Sequence, residues 1–314
     1  MLKLKEFVSV ENLNFFWLSK NPNACRLLEQ NIDKIYWETL SENPNAIHIL
    51  EQHLDKIDWF WLSRNPNAIH LLEKNLDKIF WSMLSENPNA IQLLKQNKAR
   101  IHPYYLSKNP NAIQLLEEYP ELIDWNRLSI NPNAIHILEQ NIDKINWEKL
   151  SGNPNAIHIL EKNLDKIDWD VLTLNPNAIH ILEQYPDKIN WNLLSENPNA
   201  IHILEKHPNK IQWHSLSINP NAVPLLEKYV DKINWYWLSN NPNPNAIRLL
   251  EQNPDLVDWF WIARNPSIFE LDYSSLKERC QVYKQELLAK ALHPSRIERY
   301  LNMGLDMEDL EDYL

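Results

Sequence analysis

The chain has 314 residues, of which 44% are hydrophobic and 23% are charged, so it is long enough to bury a substantial core. Its formal net charge of −11 argues against nucleic acid as the main partner, because phosphate binding usually requires a basic patch or stripe. The sequence contains no signal-peptide segment and no apolar run long enough to cross a membrane, and its two cysteines, Cys25 and Cys280, lie far apart, so we expect an intracellular protein without a disulfide framework.

The dominant feature of the sequence is a repeat of 22 residues. The tetrapeptide Asn-Pro-Asn-Ala first occurs at Asn21 to Ala24, and its first Asn then recurs at positions 43, 65, 87, 109, 131, 153, 175, 197, 219, 243 and 265. The interval from 219 to 243 is two residues longer than the others, which indicates an insertion near 241–242. A fixed period of this size is typical of a solenoid or array.

Each repeat carries signals for two short helices. Asn followed by Pro is a favourable helix N-terminus, and Ile47, Ile49 and Leu50 then fall on one apolar face. A second helix, Trp-x-x-Leu-Ser, follows an Asp or Asn, as at Asp58-Trp59, and ends before the next Asn-Pro.

Helices of this length are marginal alone, so neighbouring repeats must bury Ala, Ile, Leu and the consensus Trp against one another. The sequence therefore predicts an all-α fold, an α-solenoid (superhelix) of short two-helix repeats, drawn out as a curved rod on the order of 100 Å long.

The repeat boundaries predict three segments. Residues 1–20 form an N-terminal half-repeat cap, residues 21–264 form eleven helical repeats, and residues 265–314 form a helical C-terminal cap. A leucine-rich-repeat fold with a strand at Lys-Ile-x-Trp is the alternative, because Ile and Trp alternate there with a period of two. The chain has only two glycines, however, and the Asn-Pro start favours helices.

The repeat unit, LSxNPNAIHILEQNxDKIxW, resembles the tandem repeats of uncharacterised proteins encoded by giant viruses, the large DNA viruses of protists. The chain's ending is similar as well, in His293-Pro294-Ser295-Arg296-Ile297, Arg299-Tyr300-Leu301 and Gly304. The resemblance implies a viral origin, a location in the host cytoplasm or the virion, and an interaction role. It does not supply a functional site.

The two positions after the consensus Trp vary between repeats, and variation on one surface of a repetitive protein is where a partner would be selected. Aromatic residues dominate interface hot spots, so we predict that the aromatic pairs at these positions bind a protein partner. Packing between neighbouring short helices is the alternative. The candidate residues are Phe60, Trp61, Tyr104, Tyr105, Tyr236, Trp237, Phe260 and Trp261.

A second candidate feature is a row of histidines at one repeat position. Four of them occur in consecutive repeats, and we expect them to form a row of solvated side chains along one face; a strip that is sensitive to pH or faces a partner is the alternative. Neighbouring repeats lie roughly 8–10 Å apart, which is too far for these side chains to share a metal ion. The four residues are His136, His158, His180 and His202.

The sequence predicts no catalytic, cofactor-binding or metal site, since no Gly-rich loop, metal-ligand spacing or catalytic triad stands out from the repeat. We therefore expect a non-enzymatic scaffold or adaptor that presents an extended surface to another protein. The alternative is a modular nucleic-acid reader with one nucleotide per repeat, whose binding would weaken steeply as salt rises.

Overall fold

The computed structural model describes residues 2–302, and the regular structure within them is almost entirely helical. Gly304 and residues 305–314, which the sequence assigns to the C-terminal cap, lie outside that range. The chain divides into two compact units: the repeats, Glu6–Ile268, and a second unit built from the residues on either side of them.

The repeats contain two classes of helix, which we name after their first consensus residue. The W helices are Phe15–Lys20, Trp37–Glu42, Trp59–Arg64, Trp81–Glu86, Pro103–Leu106, Trp125–Leu128, Trp147–Ser151, Trp169–Leu174, Trp191–Leu194, Trp213–Ile218, Trp235–Ser239 and Trp259–Ile262. The I helices are Cys25–Glu29, Ile47–Gln52, Ile69–Glu73, Ile91–Gln96, Ile113–Glu118, Ile135–Glu139, Ile157–Glu161, Ile179–Gln184, Ile201–Lys206, Val223–Lys228 and Pro244–Gln252.

The prediction of an all-α solenoid is confirmed. The strand of the alternative fold does not form in the part of the chain that the structure describes. A 3₁₀ turn, such as Ile32–Lys34, stands in place of that strand in ten of the repeats, and an extended residue then leads into the next W helix.

The prediction that the first Asn caps the I helix is wrong for every I helix except Pro244–Gln252, which begins at the proline with Asn243 as its N-cap. Asn43 instead ends the W helix before it, and the I helix begins only at Ile47. The Asn43 carbonyl accepts a hydrogen bond from the Ala46 N–H at 3.2 Å, and its side-chain oxygen accepts one from the Asn45 N–H at 3.0 Å. Asn followed by Pro also favours a β-turn, and here the turn forms in place of an N-cap.

The first Asn of each turn joins neighbouring units. The Asn43 Nδ2 donates to the carbonyls of Ser19 and Asn21 in the preceding unit, both at 3.0 Å. Asn43 is almost completely buried, so these bonds satisfy backbone groups that no water reaches. The same arrangement repeats along the chain, and we call these residues the asparagine ladder: Asn21, Asn43, Asn65, Asn87, Asn109, Asn131, Asn153, Asn175, Asn197, Asn219, Asn241 and Asn265.

The serine that ends the W-helix consensus forms a second joint. The Ser41 hydroxyl donates to the Trp37 carbonyl one helical turn earlier at 2.8 Å and accepts from the Asp58 N–H of the next unit at 3.0 Å. Ser41 thus satisfies one backbone group in its own helix and one in the next unit.

The ladder closes on itself, which the sequence analysis did not anticipate. The Asn21 Nδ2 donates to the carbonyls of Ala263 and Asn265 at 3.0 and 3.1 Å, although 242 and 244 residues separate these pairs. Asn23 likewise donates to the Pro266 carbonyl at 3.0 Å. The N-terminal half-repeat therefore joins the last W helix instead of covering an open end, and the expected open rod is wrong. We call this joint the seam.

The two-residue insertion lies later than expected. Asn241, not Asn243, occupies the ladder, since its Nδ2 donates to the carbonyls of Ser217 and Asn219 at 2.8 and 3.0 Å. The long interval therefore runs from Asn241 to Asn265. The extra residues are taken up by the I helix Pro244–Gln252, which has nine residues and begins at the proline.

The W helices of successive units pack directly on one another, whereas most I helices make fewer contacts with their neighbours. In a closed circuit of units, the helices that lie closest to their counterparts in the neighbouring units are nearest the central axis of the circuit. The W helices therefore form the inner layer. The core consists of Ala, Ile and Leu side chains such as Ala46, Ile49 and Leu50.

The expectation that the consensus Trp belongs to the core is wrong, because Trp59, Trp147 and Trp191 remain partly exposed. A Trp at the first position of its helix lies at the edge of its unit, where the next unit covers one face of the ring. The Lys78 ammonium, for example, lies 4.7 Å from the Trp59 ring centroid.

The second unit pairs the strand Leu2–Leu4 with Phe269–Leu271 in antiparallel register, so that Lys3 lies opposite Glu270. The helix Tyr273–Ala291 follows, with Asp272 as its N-cap, and Pro294–Asn302 is the last helix of the described chain. The predicted helical pattern after the repeats is confirmed over these residues.

We predict that Asn109→Ala lowers the free energy of unfolding by about 2–4 kcal/mol, because it removes two buried bonds, to the carbonyls of Ser85 and Asn87, of which the Asn87 carbonyl keeps the Ala90 N–H as a donor. Asn111→Ala, in the same turn, removes one exposed bond to Pro88 and should cost less than about 1 kcal/mol. Urea denaturation followed by circular dichroism measures both values, and equal losses would contradict the role of the ladder.

Closure predicts that Asn21→Ala destabilises the protein about as much as Asn131→Ala. Each side chain donates two buried bonds to the unit before it, and for Asn21 that unit is the last one of the repeats. In an open array Asn21 would have no such acceptors. A loss at Asn21 that is small beside the loss at Asn131, in the same urea experiment, would show that the circuit is open in solution.

Candidate functional site

The candidate aromatic pairs occupy the second and third positions of W helices, and side-chain caps fix the start of most of these helices. The Asp58 carboxylate accepts from the backbone N–H groups of Phe60 and Trp61 at 3.0 and 3.2 Å, and Asp258 caps its helix in the same way. The prediction that an Asp or Asn before Trp starts the helix is therefore confirmed at these positions.

Closure brings aromatic pairs from both ends of the repeats together. Trp17 lies against Trp261, with ring centroids 5.2 Å apart, and against the edge of Phe260 at 6.0 Å. Tyr236 contacts Trp261 in turn, also at 6.0 Å. We call this group the seam surface, and its members are Phe16, Trp17, Tyr236, Trp237, Phe260 and Trp261.

The sequence analysis omitted Phe16 and Trp17 from the candidate residues, although they occupy the same two positions as the other pairs. Their role could not be recognised from the sequence, since nothing in it indicates that the first and last units touch.

Part of the seam surface faces solvent. Tyr236 and Phe260 are 44% and 47% exposed, which is close to the exposure of Tyr36 and Phe80 elsewhere in the repeats. Trp17 and Trp261 are more enclosed, and their indole N–H groups are buried without a hydrogen-bond partner. The seam surface thus combines ring stacking between units with exposed aromatic area beside it.

The other two candidate pairs lie outside the seam surface and have local partners. The Trp61 indole N–H donates to the Glu38 carboxylate at 3.1 Å, and Phe60 packs edge-on against Phe80 at 5.5 Å. These contacts show that the aromatic positions pack between units and are not free on the surface. Partner binding by any of the pairs stays a prediction.

The pair Tyr104–Tyr105 stacks edge to face with centroids 5.1 Å apart, and the Arg127 guanidinium lies 4.0 Å from the Tyr104 centroid. The second position is polar in the next five consecutive units, with Asn126, Glu148, Asp170, Asn192 and His214, which we call the polar sector. Aromatic pairs occupy three consecutive units across the seam, from Tyr236 to Trp17, which we call the aromatic sector. Glu38-Thr39 and Ser82-Met83 separate the pairs at Phe60 and Tyr104 from it and from each other.

The histidine row lies at the surface with about half of each side chain exposed, but its members are paired. The Nε2 atom of His158 lies 2.6 Å from the Glu139 carboxylate of the preceding unit. His136, His180 and His202 make the same contact with Glu117, Glu161 and Glu183. Each exposed pair is worth roughly 0–1 kcal/mol, so the row acts as a weak brace between I helices.

Reactive chemistry is not concentrated anywhere in residues 2–302. No group of three or more His, Cys, Asp or Glu side chains there is placed to bind a metal ion. Cys25 is a poor nucleophile, because burial, with a smaller contribution from Glu29, raises the pKa of its thiol to about 11. No helix in the described part of the chain has the length and apolar character that a membrane span needs.

The geometry places the repeats in the class of all-α solenoids whose last unit joins the first. No protein-family model, curated protein or solved structure matches the chain.

The two cysteines should differ in reactivity. At pH 8 about one Cys25 thiol in a thousand is ionised, given a pKa of about 11, whereas Cys280 is exposed. We expect one thiol per chain to react rapidly with Ellman's reagent in the native protein and two to react in denaturant. Cys280→Ser should abolish the rapid phase, and its persistence in that variant would show that Cys25 is more accessible than the structure indicates.

Proposed function

We propose that the protein is a non-enzymatic scaffold or adaptor, which binds a protein partner through the aromatic sector of its inner helices. The observation that carries the proposal is the seam surface, where Tyr236 and Phe260 remain about half exposed next to a stacked pair of tryptophans.

Large aromatic side chains that stay partly exposed on a rigid support are favourable interface anchors, because they bury much area and lose little side-chain entropy. The support here is rigid at the relevant positions. The Asp258 cap fixes the start of one helix, the Asn234 cap fixes the start of its neighbour, and the ladder joins both to adjacent units.

The variation between units supports an interaction role as well. The ladder, the serine joint and the core keep their residue types nearly throughout, whereas the second helix position changes from aromatic to acidic, amide, serine or histidine side chains and the third from aromatic to basic, apolar or hydroxyl ones. The variation therefore falls at a position where it can change what the surface binds without altering the joints between units.

We predict that the double substitution Tyr236→Ala and Phe260→Ala lowers recovery of the partner at least tenfold, because loss of a hot-spot side chain costs about 2 kcal/mol or more. The measurement is quantitative mass spectrometry after affinity purification from the source cells. Asn192→Ala is the matched control, since Asn192 occupies the same exposed helix position in the polar sector.

Unchanged recovery by the double variant, with circular dichroism like that of the parent protein, would contradict the proposal. So would tight RNA or DNA binding that weakens steeply between low and high salt, because that dependence belongs to phosphate contacts and would favour the nucleic-acid reader.

A further inference from the structure

A row of side chains precedes the asparagine ladder, one from each unit, at the end of each W helix. We call it the pre-Asn row. In chain order it reads Lys20, Glu42, Arg64, Glu86, Lys108, Ile130, Gly152, Leu174, Glu196, Ile218, Asn240 and Arg264. Because the ladder closes, Arg264 and Lys20 are neighbours in this row.

The first part of the row alternates in charge, and its members pair between units. Lys20 lies 2.6 Å from Glu42, Arg64 lies 3.2 Å from Glu86, and Lys108 lies 2.7 Å from the same Glu86. Arg64 also approaches Glu42 at 3.9 Å. Each of these cations therefore has an acidic neighbour at the same position of an adjacent unit.

The alternation fails at the seam. Arg264 is flanked by Asn240 on one side and by Lys20 on the other, and Lys20 is already paired with Glu42. This is the row's one pair of adjacent cations. Glu42 already neutralises Lys20, so Arg264 is the cation of the row that has no acidic neighbour in it, and the arrangement leaves a place for one negative group.

The two cations line one cavity of about 560 Å³ that opens widely to solvent, and Arg264 is exposed in it. Four neighbouring units contribute to its lining, which comprises Lys20, Pro22, Ile218, Asn240, Pro242, Arg264, Asn265 and Pro266. No carboxylate is among these residues. The prolines and Ile218 supply apolar walls, and Asn240 supplies an amide.

Arg264 is held in a position that suits anion binding. Its guanidinium carbon lies 5.3 Å from the centroid of the Trp17 ring, so the ring supports the cation electrostatically. An arginine that stacks on an aromatic ring keeps its N–H fork available, and that fork matches the two oxygens of a carboxylate.

We infer that the seam cavity binds a carboxylate carried by an apolar peptide residue, with Arg264 as the main contact and Lys20 as the second. A single negative charge fits better than a polyanion, because the net charge of −11 repels highly charged ligands and most of the walls are apolar. The carboxylate comes from a chain end or from an acidic side chain. The inference rests on the proposed function only in assigning this carboxylate to a protein partner.

Small probes test the site without the partner. Calorimetric titration of the full chain compares N-acetyl-phenylalanine, which mimics a chain end, with N-acetyl-glutamic acid α-amide, which mimics an acidic side chain. The amide of N-acetyl-phenylalanine is the uncharged control, and inorganic phosphate is the competing anion. We expect saturable binding of at least one carboxylate, at one site per chain, and binding of the amide and of phosphate at least tenfold weaker.

Arg264→Gln should weaken carboxylate binding at least tenfold, and Arg264→Lys should restore part of it. Arg64→Gln is the matched control: Arg64 occupies the same row but is satisfied by two acidic neighbours, so its loss should leave binding unchanged. Circular dichroism establishes that each variant is folded, and Lys20→Gln, with a smaller expected loss, replaces Arg264→Gln if that variant unfolds.

The inference is overturned if no carboxylate binds, if the amide binds equally well, if phosphate binds more tightly, or if Arg64→Gln weakens binding as much as Arg264→Gln. These outcomes are independent of the partner recovery measured with the Tyr236 and Phe260 variant. Failure of the cavity and failure of the scaffold proposal can therefore be distinguished.

Discussion

The structure of the repeats depends on one interaction, the buried asparagine side chain that donates to two carbonyls of the unit before it. An amide is suited to this place because its NH₂ group can reach two acceptors while its oxygen accepts the N–H of Asn45 or its equivalent within the turn. One side chain thus fixes its own turn and its distance from the neighbouring unit. W helices of four to six residues, too short to be stable alone, are held at their C-terminal end by this asparagine and at their start by the serine hydroxyl of the unit before.

At the seam the asparagine makes the same hydrogen bonds, but ring packing takes the place of the serine bridge. Ala263 replaces the serine that elsewhere bridges two units, so that this joint lacks the hydroxyl, and the rings of Trp17, Trp261 and Phe260 lie across it. Stacked aromatic pairs contribute about 0.5–1.5 kcal/mol beyond the area that they bury, which is comparable with a net hydrogen bond. The buried indole N–H groups of the two tryptophans reduce that gain. At the seam, where the first and last units meet, ring packing therefore replaces hydrogen bonds between units more fully than at the other joints.

Local features of this protein could be predicted from the sequence, whereas its long-range closure could not. The two helices per repeat and the caps at Asp58 and Asp258 follow from residue types within a few positions of one another, whereas the Ser41 bridge spans 17 residues. The Asn-Pro signal was misinterpreted because it is compatible with both a helix start and a β-turn. The choice is decided by the carbonyls of Ser19 and Asn21, which accept from the Asn43 side chain and lie 24 and 22 residues earlier in the chain. The seam surface and the Arg264–Lys20 pair depend on closure, which requires the summed curvature of all units, and no single repeat encodes that sum.

Closure also determines how the protein can change in length. An open array can gain or lose one unit through duplication or deletion of a 22-residue segment, since each unit contacts only its neighbours. Here the twelve W helices share one complete turn, and a thirteenth would have to alter the angle at every joint or separate Asn21 from Ala263. The longer interval between Asn241 and Asn265 shows where this architecture accepts extra residues: within an I helix of the outer layer, where no closing bond is strained.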